Sequence, residues 1–268
     1  MSDGFVFLTP ILLLPVIWLL RFVGCNPILG LHDVEPYEPP DISSISPTSV
    51  IVCGPKFTLR VIGTHFTAQQ EVQWDDAGRA TTFVSETELQ ASIPANDITE
   101  LKTVSVTVND PSNNKVSNLQ SLAVTLGAPD VQDFSSLPPG VNNFDPVVDG
   151  QVPDIHFDGW IWYQDTPNQG AIYFNDPTAT TRSFTFMGVS RIVQTMLVRH
   201  YDPASLTDIT ITVTDDTGQA APPLIIKGGQ YKTLITGWVR CTKTVTVTLS
   251  PGTDNVGIVG LHTYLGAA

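Results

Sequence analysis

Five aromatic side chains in the second half of the sequence are the residues best suited to binding chemistry. An exposed aromatic ring packs well against the C–H face of a sugar, while neighbouring Asp, Asn and Gln side chains hydrogen-bond the hydroxyls. The five are Trp160, Trp162, Tyr163, Trp238 and Tyr264. In a strand, Trp160 and Trp162 lie on one face, which is either an exposed platform or part of a core. We predict Trp160, Trp162 and Trp238 as ligand-binding residues, with burial of most of these rings as the alternative.

Titratable residues give weaker signals for catalysis. His156 and Asp158 lie on the same face of a predicted strand and could form a metal-binding or acid–base pair, although such pairs are common by chance. The doublets Asp75-Asp76 and Asp215-Asp216 occur in predicted turns, where Asp supports the backbone. The sequence contains no Gly-x-Ser-x-Gly, zinc-helix or phosphate-loop motif. We therefore predict a non-catalytic protein with no catalytic residues, no assigned metal ligands and no cofactor.

The composition predicts an all-β fold. Of the 268 residues, 42% are hydrophobic and 15% are charged, which is enough apolar surface for a substantial core. Turn residues recur throughout, and helical periodicity is hard to find beyond residue 30.

The chain carries 26 Asp and Glu against 13 Lys and Arg, a net charge of −13. A surface of that sign repels nucleic acid, so DNA or RNA is excluded as a partner.

Residues 41–125 contain the alternating strands of one β-sandwich. Phe57, Leu59 and Val61 alternate with polar residues, the period of a half-buried strand. Gly63 then interrupts this strand, as a residue that supplies conformational freedom for a turn. Further short strands follow at 72–74, 82–84, 88–94, 104–108 and 122–125.

This segment resembles an IPT/TIG domain, an immunoglobulin-like module, and we assign it to residues 41–126. The order and spacing of the matching segments carry the resemblance. They are Ile45-Ser46-Pro47, Gly54, residues 59–66, 72–74, 89–94 and 104–108, and Ser117-Asn118. Family members that contact DNA do so with basic loops, which this acidic chain does not favour. The resemblance therefore implies an extracellular spacer.

Residues 131–268 are predicted to form a second β-sandwich, a jelly roll. Strict alternation at 210–214 and 244–248 is typical of strands, and about eight strands in this length suit a jelly roll better than a second immunoglobulin-like domain. The segment is similar to jelly-roll relatives of carbohydrate-binding modules at 133–138, 159–162, 213–219, 236–238 and 256–258. That resemblance implies a glycan ligand. Such modules often carry acidic residues where this chain has Val259-Gly260-Leu261-His262. Plausible calcium ligands are therefore missing at these positions. A structural calcium stays open as an alternative.

The N-terminus predicts export. Residues 5–20 carry no charge, and a helix of that length would be about 24 Å long, short of the roughly 30 Å hydrocarbon core of a bilayer. The following Phe22-Val23-Gly24-Cys25 resembles a bacterial lipobox, which makes Cys25 the predicted lipidation site. Three alternatives stay open for residues 1–25: a lipoprotein signal, an uncleaved anchor or an ordinary cleaved signal. Residues 26–40 are rich in proline and predict a stalk.

Two cysteines remain, Cys53 and Cys241, in different predicted domains. A bridge between them requires the domains to touch at that point. The sequence therefore favours two buried free thiols.

We combine these features into one hypothesis. The chain is predicted to be a membrane-anchored, bacterial-type cell-surface protein, in which an IPT/TIG spacer presents a jelly roll that binds a glycan or another envelope component. The alternatives are a purely structural subunit of a surface assembly and a glycan-processing enzyme. An enzyme would need two carboxylates facing each other across a cleft.

Overall fold

The computed structural model describes residues 37–266, apart from residues 165, 175, 177, 253 and 254. The predictions for the signal or anchor, for Cys25 and for most of the proline-rich stalk lie outside the described residues. Within the described part of the chain, no helix is long and apolar enough to cross a membrane. Pro39–Ala268 forms one compact unit.

The first sandwich contains ten strands and a short 3-10 helix at Ala95–Ile98. The strands are β1 (Asp41–Ser46), β2 (Ser49–Ile51), β3 (Phe57–Thr64), β4 (Glu71–Trp74), β5 (Ala77–Gly78), β6 (Thr81–Ser85), β7 (Glu88–Ile93), β8 (Lys102–Asp110), β9 (Lys115–Val116) and β10 (Gln120–Thr125). One sheet has the order β1-β3-β7-β6, and the other has the order β2-β10-β8-β4-β5, with β9 paired to β8. The pairing of β2 with β10 is parallel.

Strand β3 shows why this sequence forms a sandwich. Leu59, Val61 and Gly63 are buried in alternation with the exposed Thr58, Arg60 and Thr64. Gly63 does not end the strand, contrary to the sequence-based prediction. A Cβ atom there would lie 2.0 Å from the backbone oxygen of Asp41 on the neighbouring β1. Glycine is therefore required for close approach of two strands and not for a turn.

Among the described residues, the second sandwich contains eleven strands. They are β11 (Pro129–Asp133), β12 (Ile155–Phe157), β13 (Trp160–Gln164), β14 (Gly170–Phe174), β15 (Thr181–Phe186), β16 (Arg191–His200), β17 (Ile209–Asp215), β18 (Leu224–Ile226), β19 (Tyr231–Ile235), β20 (Thr244–Ser250) and β21 (Val256–Leu265). The front sheet has the order β13-β14-β21-β16-β19, with β11 also paired to β21. The back sheet has the order β12-β15-β20-β17-β18.

The core of the second sandwich lies between these two sheets. In the back sheet, Ile211 and Val213 of β17 and Val245 and Val247 of β20 are buried, while the intervening threonines are less buried. This is the alternation that the sequence predicted at 210–214 and 244–248. The all-β prediction, an immunoglobulin-like sandwich followed by a jelly-roll sandwich, is confirmed.

The two sandwiches are covalently joined by a disulfide between Cys53 and Cys241, whose Cα atoms are 5.8 Å apart. The prediction of two free thiols is therefore wrong. The bridge is possible because the 99–101 segment runs beside the 239–241 segment. Leu101 N donates to Val239 O and Cys241 N donates to Thr99 O, each at 2.9 Å.

Strand β16 also contributes to the junction between the sandwiches. Ile192, near its start, is fully buried in the hydrophobic core of the first sandwich. Two sandwiches that share a buried side chain and a disulfide are held as one body. The rest of β16 lies between β21 and β19, so the junction is continuous with the front sheet.

Candidate ligand-binding face

The three tryptophans predicted to bind ligand are buried. Trp160 and Trp162 are each 2% exposed and Trp238 is 5% exposed, and all three belong to the core between the front and back sheets. The predicted exposed platform at these residues is therefore wrong, and the alternative, that they are core aromatics, describes them. The physical reason is that the inner face of β13 is covered by the back sheet.

The indole nitrogens of β13 are satisfied inside the protein. Trp160 Nε1 donates to the backbone oxygen of Ser183 at 3.0 Å, and Trp162 Nε1 donates to Gln151 Oε1 at 2.9 Å. A buried tryptophan usually needs such a partner for its N–H group. These side chains are therefore built to stay in the core.

The outer face of the front sheet carries a second aromatic set, here called the tyrosine cluster: Tyr163, Tyr173 and Tyr201. Ring centroids are 5.7 Å apart for Tyr163 and Tyr173, 4.9 Å for Tyr163 and Tyr201, and 5.5 Å for Tyr173 and Tyr201. The rings cover Ala171 and Val259, which are buried there. Tyr163, an aromatic candidate from the sequence, is thus on the opposite face of β13 from the two tryptophans.

Beside the tyrosine cluster lies an open groove of about 640 Å³ on the same outer face. Its lining comes from β11, β16, β19 and β21 and from the connection before β14. Apolar contacts are offered by Leu197 and Val259, and the groove is lined with hydrogen-bonding side chains. These are Gln132, Asp133, Ser135, Asn168, Gln169, Thr195, Tyr231 and His262.

Tyr231 provides the aromatic ring of the groove and is 44% exposed. Arg199 supports it from below: the guanidinium carbon lies 5.2 Å from the centre of the Tyr231 ring, a cation–π contact. Arg199, only 5% exposed, also donates from Nη1 to the backbone oxygen of Gln169. One buried cation therefore supports both Tyr231 and Gln169.

The polar side chains of the groove are positioned by strand pairing. His262 pairs across the sheet with Val131 on β11 and with Thr195 on β16, so it lies centrally. Its ring lies 5.3 Å from that of Tyr264, the remaining aromatic candidate. Asp133 accepts a 2.8 Å hydrogen bond from Ser135 N, and it is the only carboxylate among the lining residues that the structure describes.

The other titratable candidates do not join this groove. His156 pairs with Asp149, not with Asp158: its Nδ1 lies 2.5 Å from Asp149 Oδ1. These residues line a separate cavity of about 450 Å³. Among the described residues, no three His, Cys, Asp or Glu side chains are grouped to hold a metal ion. A structural calcium stays a prediction.

The two aspartate doublets support turns, as predicted. Burial acts to raise the pKa of Asp75, but hydrogen bonds from Lys102 and from Ser105 N lower it below its usual value. Asp216 is similar: burial acts to raise its pKa, and hydrogen bonds from Thr242 and from backbone N–H groups, including those of Lys243 and Thr244, lower it overall. Both carboxylates are thus stabilised in the charged form by structural contacts.

Sequence reasoning missed the residues that form the exposed site. Tyr231 begins β19, Arg199 lies near the end of β16, and Tyr201 follows β16 directly. Alternation along β13 already placed Tyr163 opposite the tryptophans. Following that outer face across the sheet would have led to Tyr173, but the partner strands were not known.

Comparison with known proteins identifies the first sandwich. Residues 40–124 match the IPT/TIG domain family, which confirms the resemblance seen in the sequence. No curated protein matches the chain.

Solved structures similar to the chain include a mutant of a family 29 carbohydrate-binding module, at 10% identity and a TM-score of 0.32, covering 52% of this chain and 92% of that one. Another is SGBP-B of the Bacteroides ovatus mixed-linkage glucan utilization locus, in complex with a mixed-linkage heptasaccharide (9% identity, TM-score 0.23, 80% of this chain and 72% of that one). A third is an auxiliary nutrient binding protein from Bacteroides thetaiotaomicron (12% identity, TM-score 0.27, 76% and 51%).

Proposed function

We propose that the groove on the outer face of the front sheet binds a glycan, or another component of the cell envelope, without catalysis. The observation that carries this proposal is the half-exposed ring of Tyr231 beside a row of hydrogen-bonding side chains. A sugar presents both an apolar C–H face and a ring of hydroxyls. The groove offers partners for both.

The polar lining suits neutral hydroxyls. Asn168 and Gln169 carry amides that both donate and accept, and Thr195 carries a hydroxyl. Glycoside hydrolysis ordinarily requires a pair of carboxylates, one on each side of the bond that breaks. Asp133 has no carboxylate partner among the described lining residues, which supports binding over hydrolysis.

The remainder of the chain fits an exported protein that presents this groove. Disulfides persist in oxidising compartments, so the Cys53–Cys241 bridge supports export. The uncharged residues 5–20, Cys25 and the proline-rich residues 26–40 would supply the anchor and stalk. The IPT/TIG domain would then act as a spacer at the surface of a bacterial-type cell.

A second candidate function, a structural subunit of a surface assembly, is favoured by one observation. Phe83 and Val84 are 39% and 49% exposed on β6, an end strand of its sheet among the described residues. Exposed apolar residues on an edge strand promote pairing with another chain. Concentration-dependent self-association that Phe83→Ser abolishes would support this function.

A glycan array probed with the full chain in detergent tests the binding proposal. Wild type should bind, and Tyr231→Ala should weaken binding about tenfold or more, because the stacking ring is lost. Phe83→Ala is the matched control: it removes a comparably exposed aromatic residue from the first sandwich and should leave binding unchanged. A blank array would contradict glycan binding, and equal loss in both variants would contradict the groove as the binding site.

Fractionation of cells that express the full chain tests the location. We expect the wild-type chain to be recovered in the membrane fraction. If the lipoprotein alternative holds, the Cys25→Ser variant is released from the membrane or is not processed. A Cys25→Ser variant that stays membrane-bound would favour the uncleaved anchor. Intact wild-type chain in the soluble cytosol would overturn export altogether.

A further inference from the structure

Phe144 is an exposed aromatic residue held in an unfavourable backbone conformation. Its φ angle is +69°, and 65% of the residue is exposed. A bulky side chain in the left-handed region costs free energy and persists only where its surroundings enforce it. Glycine or asparagine would adopt this conformation at a lower cost in free energy, so the need for a turn does not by itself account for Phe at this position.

Hydrogen bonds to β13 enforce the conformation. Phe144 N donates to Trp162 O at 2.7 Å, and Trp162 N donates to Asp145 O at 2.9 Å. The side chain of Asn143 pairs with both backbone groups of Gln164, at 2.7 Å each. The loop is therefore fastened along β13, and Phe144 is displayed in a set position.

The ring of Phe144 extends the tyrosine cluster toward solvent. Its centroid lies 5.1 Å from that of Tyr163, at an interplanar angle of 42°. Tyr163 in turn packs on Tyr173 and Tyr201. An exposed ring supported from below by a packed aromatic layer is the construction of a stacking platform.

The platform adjoins the groove. Gln164, next to Tyr163, donates from Nε2 to the backbone oxygen of Ser135 at 3.1 Å, and Ser135 lines the groove. Val259 also belongs to both: it is buried under the tyrosine cluster and contributes to the groove lining. The two features therefore belong to one continuous surface.

We propose that Phe144 and Tyr163 form a second aromatic subsite, which together with the groove binds a single neutral glycan chain running across the front sheet. The inference rests on the proposed function of the groove. Four strand spacings separate β13 from β19, roughly 19 Å in all. A ligand that reaches both Phe144 and Tyr231 is therefore a chain of several sugars. Asp133 and the net charge of −13 disfavour an acidic chain.

Calorimetric titration of the full chain with neutral oligomers of glucose and of mannose, two to six units long, tests the subsite. Wild-type affinity should rise with length. Phe144→Gly should weaken binding of the six-unit oligomer about tenfold and leave binding of the two-unit oligomer unchanged. Tyr231→Ala should weaken both, and Phe144→Tyr should behave as wild type. Oligomers of a uronic acid should bind more weakly than neutral ones.

Thermal stability separates a binding role from a packing role. Glycine adopts positive φ without strain, so Phe144→Gly should keep or raise the melting temperature, by up to about 4 °C. A lower melting temperature would identify Phe144 as a packing residue and overturn the inference. Unchanged length dependence in Phe144→Gly would overturn it as well, with the groove still standing as the binding site. Absence of binding to every oligomer would overturn the second subsite, while the glycan array remains the separate test of the groove. Equal binding of uronic acid oligomers would overturn the neutral character of the ligand.

Discussion

The front sheet of the second sandwich uses its two faces in opposite ways. On the inner face, Trp160 and Trp162 of β13 are locked into the core by ring contacts and by bonds from their indole nitrogens. On the outer face, Tyr163 of the same strand supports the exposed Phe144 and adjoins an open groove. The size and apolar character of an aromatic residue therefore do not decide whether it is buried or accessible to a ligand. What decides it is whether a second layer covers its face of the sheet.

Replacement of a core tryptophan is expected to have the largest effect. Trp160 packs edge-on against Phe174, with ring centroids 4.8 Å apart, and against Phe157 at 5.7 Å. Trp160→Ala should lower the free energy of unfolding by about 3–5 kcal/mol, measured by chemical denaturation. Phe144→Ala, the outer-face control, should change it by less than about 1 kcal/mol. If the two variants were equally destabilised, the contrast between the faces would fail.

Removal of the disulfide tests how much the covalent bridge between the two sandwiches contributes to the free energy of unfolding. Ile192 packs into the core of that sandwich, and the Cys53–Cys241 bridge joins the same two bodies. The double variant Cys53→Ser with Cys241→Ser should lose about 3 kcal/mol of stability, because the unfolded chain regains conformational freedom. Reductant should destabilise wild type to a similar extent and leave the double variant unchanged. An equal response of both proteins to reductant would contradict the prediction.

A smaller effect should follow from disturbing the tyrosine cluster alone. A Cβ atom on Gly257 would lie 2.7 Å from two ring carbons of Tyr173. Gly257→Ala should therefore cost about 1–3 kcal/mol of stability. Adding Tyr173→Leu should recover part of that loss if the clash with the ring is the cause. Additive losses in the double variant would show that Gly257 acts through the backbone instead.

The smallest predicted effect is a pH dependence at His200, at the end of β16. Burial lowers the pKa of His200, and the nearby Asp202 opposes that shift only in part. Because the folded protein holds this imidazole neutral, its contribution to stability is fully present above about pH 6.5 and is lost as the pH falls. The loss is at most about 1.4 kcal/mol per pH unit. Comparing the unfolding free energy of wild type and His200→Gln from pH 8 to pH 5 measures it, and parallel curves would refute it.

Local patterns predicted the strands well because alternation is a property of neighbouring residues. The segments 210–214 and 244–248 became β17 and β20 with their aliphatic residues buried. The IPT/TIG resemblance at 41–126 likewise depended on spacing within one domain, and the family match at 40–124 confirms it. Both rest on information contained in a short stretch of chain.

Long-range contacts were not predictable in the same way. Cys53 and Cys241 are 188 residues apart, and nothing in the spacing told which surfaces of the two domains would meet. Phe144 belongs to an irregular loop between β11 and β12, and the hydrogen bonds that fasten this loop to β13 place it beside Tyr163. Arg199 contacts Gln169, in the connection before β14, and Tyr231, at the start of β19, and these two residues are far apart in the sequence.

Residue patterns along the chain are enough to predict an all-β protein in which an immunoglobulin-like domain precedes a jelly roll, and to place Trp160 and Trp162 on one face of a strand. Which face is core depends on how the two sheets pack. Alternation divides the side chains of a strand into two sets, but it is symmetric between them. The symmetry is broken when the back sheet packs against one face of β13, burying the tryptophans and leaving Tyr163 on the side where a ligand can approach.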